Sequence, residues 1–241
     1  STSSALTHTI PPRTTILGIL AAIIGEYRDT YYESMDGLLI GVQIASPMKK
    51  VFQKFNFLKI EESKRWNFDL YAGVAPNRTQ TSFELIIPLN IREDDLKYRI
   101  FVGVQKKGHE KYKILKEYLN TQRNEFGITL GSAHHIGYVE NIIEYSNFKK
   151  NDQTFVELST AIKVSQVESP ATKNASLEQD TFPLSMKINS SPSDKIQTRI
   201  ASDVQSMIYS INGNPFGVNL KDTKNIFTVS FQNVEFNIAL S

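Results

Sequence analysis

The stretch Pro11 to Gly25, PPRTTILGILAAIIG, constrains this chain more than any other. Two prolines, an arginine and two threonines lead into an unbroken run of apolar and small residues that closes on a glycine. Proline presets the backbone for a first helical turn and lacks the N–H that would be orphaned there. Thr14 or Thr15 is placed to cap the free donors of that turn. Gly25 can enter the left-handed conformation that ends a helix. The pattern predicts a helix with a marked entrance and exit and almost no polar face, and such a helix has to be buried. Gly18, Ala21, Ala22 and Gly25 form a stripe of small residues where another backbone can approach. The mouth of the helix is basic and hydroxyl-rich, and helix N-termini favour phosphates and other anions.

Three plainer readings compete. A membrane span needs about 20 apolar residues, and this run is roughly half that length with charge at both ends. A signal-peptide core would have this length, but Pro11-Pro12-Arg13 is a poor approach to one and no small-x-small cleavage pattern follows. An ordinary buried helix with no role at its mouth remains open on the residues alone.

With 241 residues the chain is long enough for one large or two small domains. Hydrophobic content of 40% and charged content of 22% describe a globular protein rather than a disordered one. The net charge is +2, so a polyanion would have to be met by local patches and not by the overall field. There is no cysteine, which removes disulfides, thiolate metal sites and cysteine nucleophiles and fits a cytoplasmic location. Asn77, Asn174 and Asn189 head Asn-x-Ser/Thr triplets, a pattern too short to carry weight. The chain opens on Ser1 inside a Ser/Thr-rich segment, and either a strand or a targeting segment is expected upstream of it.

Along the chain, Leu38 to Ala45 reads as a strand bounded by Asp36-Gly37 and Ser46-Pro47. Residues 47 to 97 interleave Lys49, Lys50, Lys54, Lys64, Arg65 and Arg78 with Phe52, Phe55, Phe57, Trp66 and Phe68. Such interleaving suits a single-stranded nucleic-acid groove, and equally a long hairpin laid over a core. Phe83 to Leu89 and Lys97 to Val104 are strand-like, Glu110 to Leu119 is an amphipathic helix, and Tyr138 to Tyr145 is a further strand candidate. The order is that of a split β-α-β unit, an α+β, ferredoxin-like core, the arrangement of common RNA-recognition modules. Beyond residue 150, Phe155 to Val167 and Phe182 to Ile188 read as strands, Glu168 to Asp180 as a loop, and Ile226 to Leu240 as a hairpin bending near Asn233. Ile196 to Tyr209 is helical or extended. The expected domains are a core over 1–150, with an insertion at about 47–95, and a β-rich extension over 151–241 that packs on the core without a separate one of its own.

No phosphate-binding loop, dinucleotide glycine pattern or Gly-x-Ser-x-Gly elbow is present. Neighbouring residues in regular structure point apart, so His134 and His135 make a poor chelating pair, and neither a metal nor another cofactor is expected. Beside a Gly-rich turn they are the candidate centre for a metal-independent ribonuclease using His, Tyr and Lys, against a plain role in backbone hydrogen bonding or on RNA.

Three blocks in order carry a family resemblance: the polar segment with PPRTTILGILAAIIG; Gln80 to Leu85 followed by Lys97 to Val102; and Thr129-Leu130-Gly131-Ser132-Ala133. Together they resemble the CRISPR-associated Cas-five family, a RAMP-superfamily subunit of type I, here I-B-like, Cascade interference complexes. The resemblance covers about residues 1–145 and implies a ferredoxin-like core with an inserted β-hairpin "thumb". It also implies a subunit that grips the 5′ handle of the guide RNA (crRNA), caps the Cas-seven backbone filament and sits beside a large Cas-eight-type subunit. Target DNA would be met through the complex, in antiviral defence, away from any membrane. Carried onto this sequence, Arg13 would contact a handle phosphate, with Thr14 and Thr15 as donors and Ser3, Ser4 and Thr7 lining the path. Lys49, Lys50, Arg65 and Arg78 would contact the RNA backbone, and Trp66 or Phe68 would stack. One branch of the family processes precursor RNA as an endoribonuclease; the commoner branch is a non-catalytic scaffold, and that is the leading reading. A domain that serves protein interaction alone is the third.

Overall fold

The structure, a computed structural model, describes residues 4–58, 78–104, 109–132, 134–145, 148–171, 174–189, 198–231 and 234–241. It is an α+β protein with mostly strands and few helices. In chain order, β1 (Ser4–Ala5) precedes α1 (Arg13–Ile24) and the single-turn α2 (Tyr31–Ser34). Next come β2 (Leu38–Ile44), β3 (Met48–Leu58), β4 (Arg78–Pro88), β5 (Tyr98–Val104) and α3 (Glu110–Asn120). Two short pairs of residues, β6 (Ile128–Thr129) and β7 (Ile136–Gly137), lead to β8 (Phe148–Lys150), β9 (Phe155–Leu158), β10 (Ile162–Lys163) and β11 (Val167–Ala171). The chain ends with β12 (Leu177–Asn189), β13 (Thr198–Ser210), β14 (Phe216–Leu220), β15 (Ile226–Phe231) and β16 (Val234–Ala239).

These elements fall into two compact units. The first holds residues 1–9 and 48–96, with a sheet in the order β1-β4-β3. β3 and β4 pair antiparallel along their whole length, from Met48 opposite Pro88 to Leu58 opposite Arg78, and β1 adds in parallel, Ser4 opposite Ser82. Alternation then sorts the side chains. Val51 and Phe55 of β3 share a half-buried face with Phe83, Leu85 and Ile87 of β4, and the Phe55 and Phe83 rings meet edge to face at 5.7 Å. Lys50, Phe52, Lys54 and Asn56 lie on the opposite, exposed face.

The second unit holds residues 10–47 and 97–241. Residues 151–241 thus share a unit with α1, β2 and β5. α1 begins one residue after Pro12, whose carbonyl accepts the Thr15 and Ile16 N–H groups at 2.9 and 3.0 Å, and it stops at Gly25 with φ 74°. Ile16, Leu17 and Ile23 are fully buried; burying such side chains is worth about 1.5–3 kcal/mol each. Neither threonine caps the helix through its side chain, because Pro12 occupies the cap position. The small-residue stripe receives side chains and a loop: a Cβ on Gly18 would meet the Tyr31 ring, and one on Gly25 would meet Glu125, whose N–H bonds the Ile23 carbonyl at 3.0 Å.

β2 and β5 form a two-stranded antiparallel sheet, and β2 is buried on both faces apart from Gln43. The other edge of β2 exchanges hydrogen bonds between Ile40 and Ser241, both at 2.9 Å, while Ala161 donates to the Val42 carbonyl. Tyr138 to Tyr145, expected as a strand, pairs with no strand. It is held by side chains instead: Glu140 and Glu144 pair with Lys97 and Lys116, and the Tyr145 ring packs among Phe101, Phe231 and Phe236.

Residues 151–241 differ from expectation in two ways. They have a core of their own, in which Val156, Leu158, Ile162, Val167, Phe216, Val218, Leu220, Ile226 and Ala239 cluster under a six-stranded sheet, β11-β14-β9-β16-β15-β8. The expected loop at 168–180 is largely strand, since β11 pairs with β14 and β12 begins at Leu177. The open choice at 196–209 resolves as extended, because β13 pairs with β12 from Thr198 onward. β15 and β16 form the expected hairpin.

Candidate nucleic-acid interface

The basic residues singled out in the sequence separate between the two units. Arg13, at the mouth of α1, has only 8% of its surface exposed. Its Nε donates to the Ser241 carbonyl at 3.0 Å and one terminal nitrogen to the Leu184 carbonyl at 2.9 Å. The other terminal nitrogen donates to the carbonyls of Asp36 and Leu38 at 3.0 and 2.8 Å. A guanidinium has five N–H donors in a rigid fork, and here four bonds to carbonyls tie α1 to the turn before β2, to β12 and to Ser241. Burial pulls its pKa below the ordinary arginine value, against the opposing charges of Asp36 and Asp203. The adjoining cavity measures about 10 Å³, the space of about one water molecule. Four of the five donors of Arg13, expected to meet a phosphate, are thus spent inside the fold, where the residue acts as a clamp. Thr14 is buried beside it and Thr15 is exposed.

The hairpin unit is built the other way. Lys49 and Lys50 are exposed on alternate faces, and Lys50 lies 4.0 Å from Glu84. The Glu84 carboxylate also accepts the Thr7 N–H at 3.0 Å, while the Thr7 hydroxyl donates to the Glu84 carbonyl. Ser4 in β1, Thr7, Lys49 and Lys50 are thus brought into one unit, with Arg78 at the start of β4. Ser3, Arg65, Trp66 and Phe68 lie outside the described residues. Phe52 and Lys54 were not singled out as site residues. The signal that finds them is the strand period, which places them on the face of Lys50 once β3 is known to run to Leu58.

His134 and His135 are exposed in the turn between β6 and β7. The His135 Nδ1 sits 3.0 Å from the Ser132 hydroxyl, and the His135 N–H bonds the Ser132 carbonyl at 3.1 Å. Among the described residues no group of three or more His, Cys, Asp or Glu side chains could hold a metal ion, and no helix is long and apolar enough to cross a membrane.

Among solved structures, a similar fold is found in a CRISPR protein. A crystal structure of a CRISPR protein from Archaeoglobus fulgidus superposes with a TM-score of 0.50 at 16% identity, covering 97% of this chain and 89% of that one. A chain of a CRISPR RNA-guided surveillance complex gives a TM-score of 0.41 at 12% identity, covering 92% of this chain and 84% of that one. No protein-family model and no curated protein matches the sequence. At these identities the likeness is one of fold.

Proposed function

We propose that this chain is a non-catalytic, RNA-binding subunit of a type I CRISPR interference complex, of the Cas-five kind. The observation that carries the reading is the fold shared with a CRISPR protein over 97% of the chain. In this reading the second unit is a ferredoxin-like core with its β-rich extension, and the first is the thumb. The thumb's exposed lysines, with Ser4 and Thr7 beside them, grip the 5′ handle of the guide RNA. The core docks on Cas-seven-type backbone subunits and a large Cas-eight-type subunit, and target DNA is met through that assembly in the cytoplasm. Fold alone does not set function, so support for the RNA contact comes from the site: cations in water on a hairpin face, the arrangement that tracks a phosphate backbone.

The endoribonuclease reading has one observation in its favour, the Ser132–His135 hydrogen bond in an exposed turn. Cleavage without a metal needs an acid, a base and a charge stabiliser held together, and among the described residues the His135 ring has only the Ser132 hydroxyl bonded to it. The test incubates the purified full chain with labelled precursor RNA carrying the repeat, in EDTA. Binding with the RNA left intact is expected. A discrete cut that His135→Ala abolishes would overturn the non-catalytic reading.

A further inference from the structure

The exposed face of the β3–β4 hairpin carries a ring in water. Phe52 is 65% exposed, whereas Phe55 and Phe83 on the other face are half-buried. A lone exposed ring needs no explanation, but this one is bracketed along the same face by Lys50 and Lys54. Residues two apart in a strand are about 6.6 Å apart, so the three side chains form a short row of cation, ring and cation. Across the ladder the row faces Ile86, Glu84 and Ser82. Glu84 offsets the Lys50 end of the row, its carboxylate 4.0 Å from the Lys50 ammonium, and leaves the Lys54 end. Its side chain is only 13% exposed and bonds the Thr7 N–H, and among the described residues Lys54 makes no ion pair.

We propose that Lys50, Phe52 and Lys54 form a stacking register for one nucleotide of single-stranded RNA, with the base on the Phe52 ring and the flanking phosphates on the two lysines. The inference rests on the RNA-binding reading above and adds strandedness to it. A base can reach the ring only if it is free of a pair, because a duplex turns its bases inward and offers the hairpin phosphates alone. The row then tells single strand from duplex without reading sequence, since every base has a π-face. An acidic protein segment would also be drawn to the lysines, but its carboxylates offer the ring no aromatic face to stack on.

The test measures anisotropy of a labelled single-stranded RNA of mixed sequence, and of the same RNA as a duplex, against the full chain. Wild type should prefer the single strand. Phe52→Ala should lose about tenfold or more of single-strand affinity and leave duplex affinity unchanged, while Phe52→Trp should keep the preference and Phe52→Leu should not. Lys54→Gln should flatten the single-strand salt slope by about 0.7. If wild type binds the single strand and Phe52→Ala binds it equally well, or if Phe52→Ala weakens both forms alike, the stacking register is wrong and the RNA-binding reading stands. If wild type binds neither form, both fail together.

Discussion

Arg13 and the Lys50–Lys54 row are basic features in two different solvents. The Arg13 side chain is desolvated, so its charge is tolerable only because four carbonyls and the nearby Asp36 carboxylate, 3.9 Å away, replace the water it lost. Lys50 and Lys54 are exposed and sit on a strand whose other face carries the half-buried Val51 and Phe55 beside the exposed Lys49 and Gln53. A buried cation with four of its five donors bonded inside the fold holds that fold together. An exposed row of cations contributes little to stability and can exchange water and counterions for phosphate. One therefore belongs to the architecture of the larger unit and the other to the surface of the hairpin.

The comparison breaks most visibly at Arg13. Replacing it by Met takes a donor from each of four carbonyls, of which Ser241 keeps the Ile40 N–H, and leaving a buried acceptor unpaired costs about 1–3 kcal/mol. Urea unfolding should report a loss of that order for Arg13→Met. Arg13→Lys should recover little of it, because an ammonium cannot span the same fork. Near-native stability with a collapse in RNA affinity would return Arg13 to the ligand.

The hairpin predicts the opposite profile. Lys50→Gln with Lys54→Gln should change stability by about 0.5 kcal/mol or less. The same pair should lower the slope of log affinity against log salt for single-stranded RNA by about 1.4, from two lost phosphate contacts. An unchanged slope would place the RNA elsewhere.

A smaller effect sharpens the picture of the larger unit. Burial opposes the charge on Glu26, but its bonds to Lys111, Thr30 and Ser34 outweigh that and hold its pKa below the ordinary value of 4.5. A carboxylate with a lowered folded-state pKa contributes stability that is present above 4.5 and lost as pH falls through the folded value. Thermal unfolding followed against pH should therefore show a shallower acid limb in Glu26→Gln than in wild type.

How much of this was legible in the sequence depends on whether the deciding contacts were local. α1 was readable because its start, its apolar run and its stop lie within a few residues of one another, and Gly25 adopts the conformation its position calls for. The antiparallel pairing of β15 with β16 was readable for the same reason. Tyr138 to Tyr145 has a strand's composition, but strand structure needs a neighbour, and propensity cannot supply one. Residues 168–180 have a loop's composition, including Pro170, yet β11 takes its partner from β14, some fifty residues downstream. Arg13 looked like a ligand-binding residue because nothing nearby reveals that Leu184 and Ser241 will bring carbonyls to it from across the chain. Phe52 was hidden by its surroundings, one ring among many between residues 47 and 97, until the ladder assigned it to a face.

The most direct test of the account is ultraviolet cross-linking of the full chain to a guide RNA bearing its 5′ handle, with the cross-linked residues located by mass spectrometry. The account predicts adducts on the hairpin between Lys49 and Asn56 and none at Arg13. Adducts at Arg13 to Thr15 with a silent hairpin would contradict it.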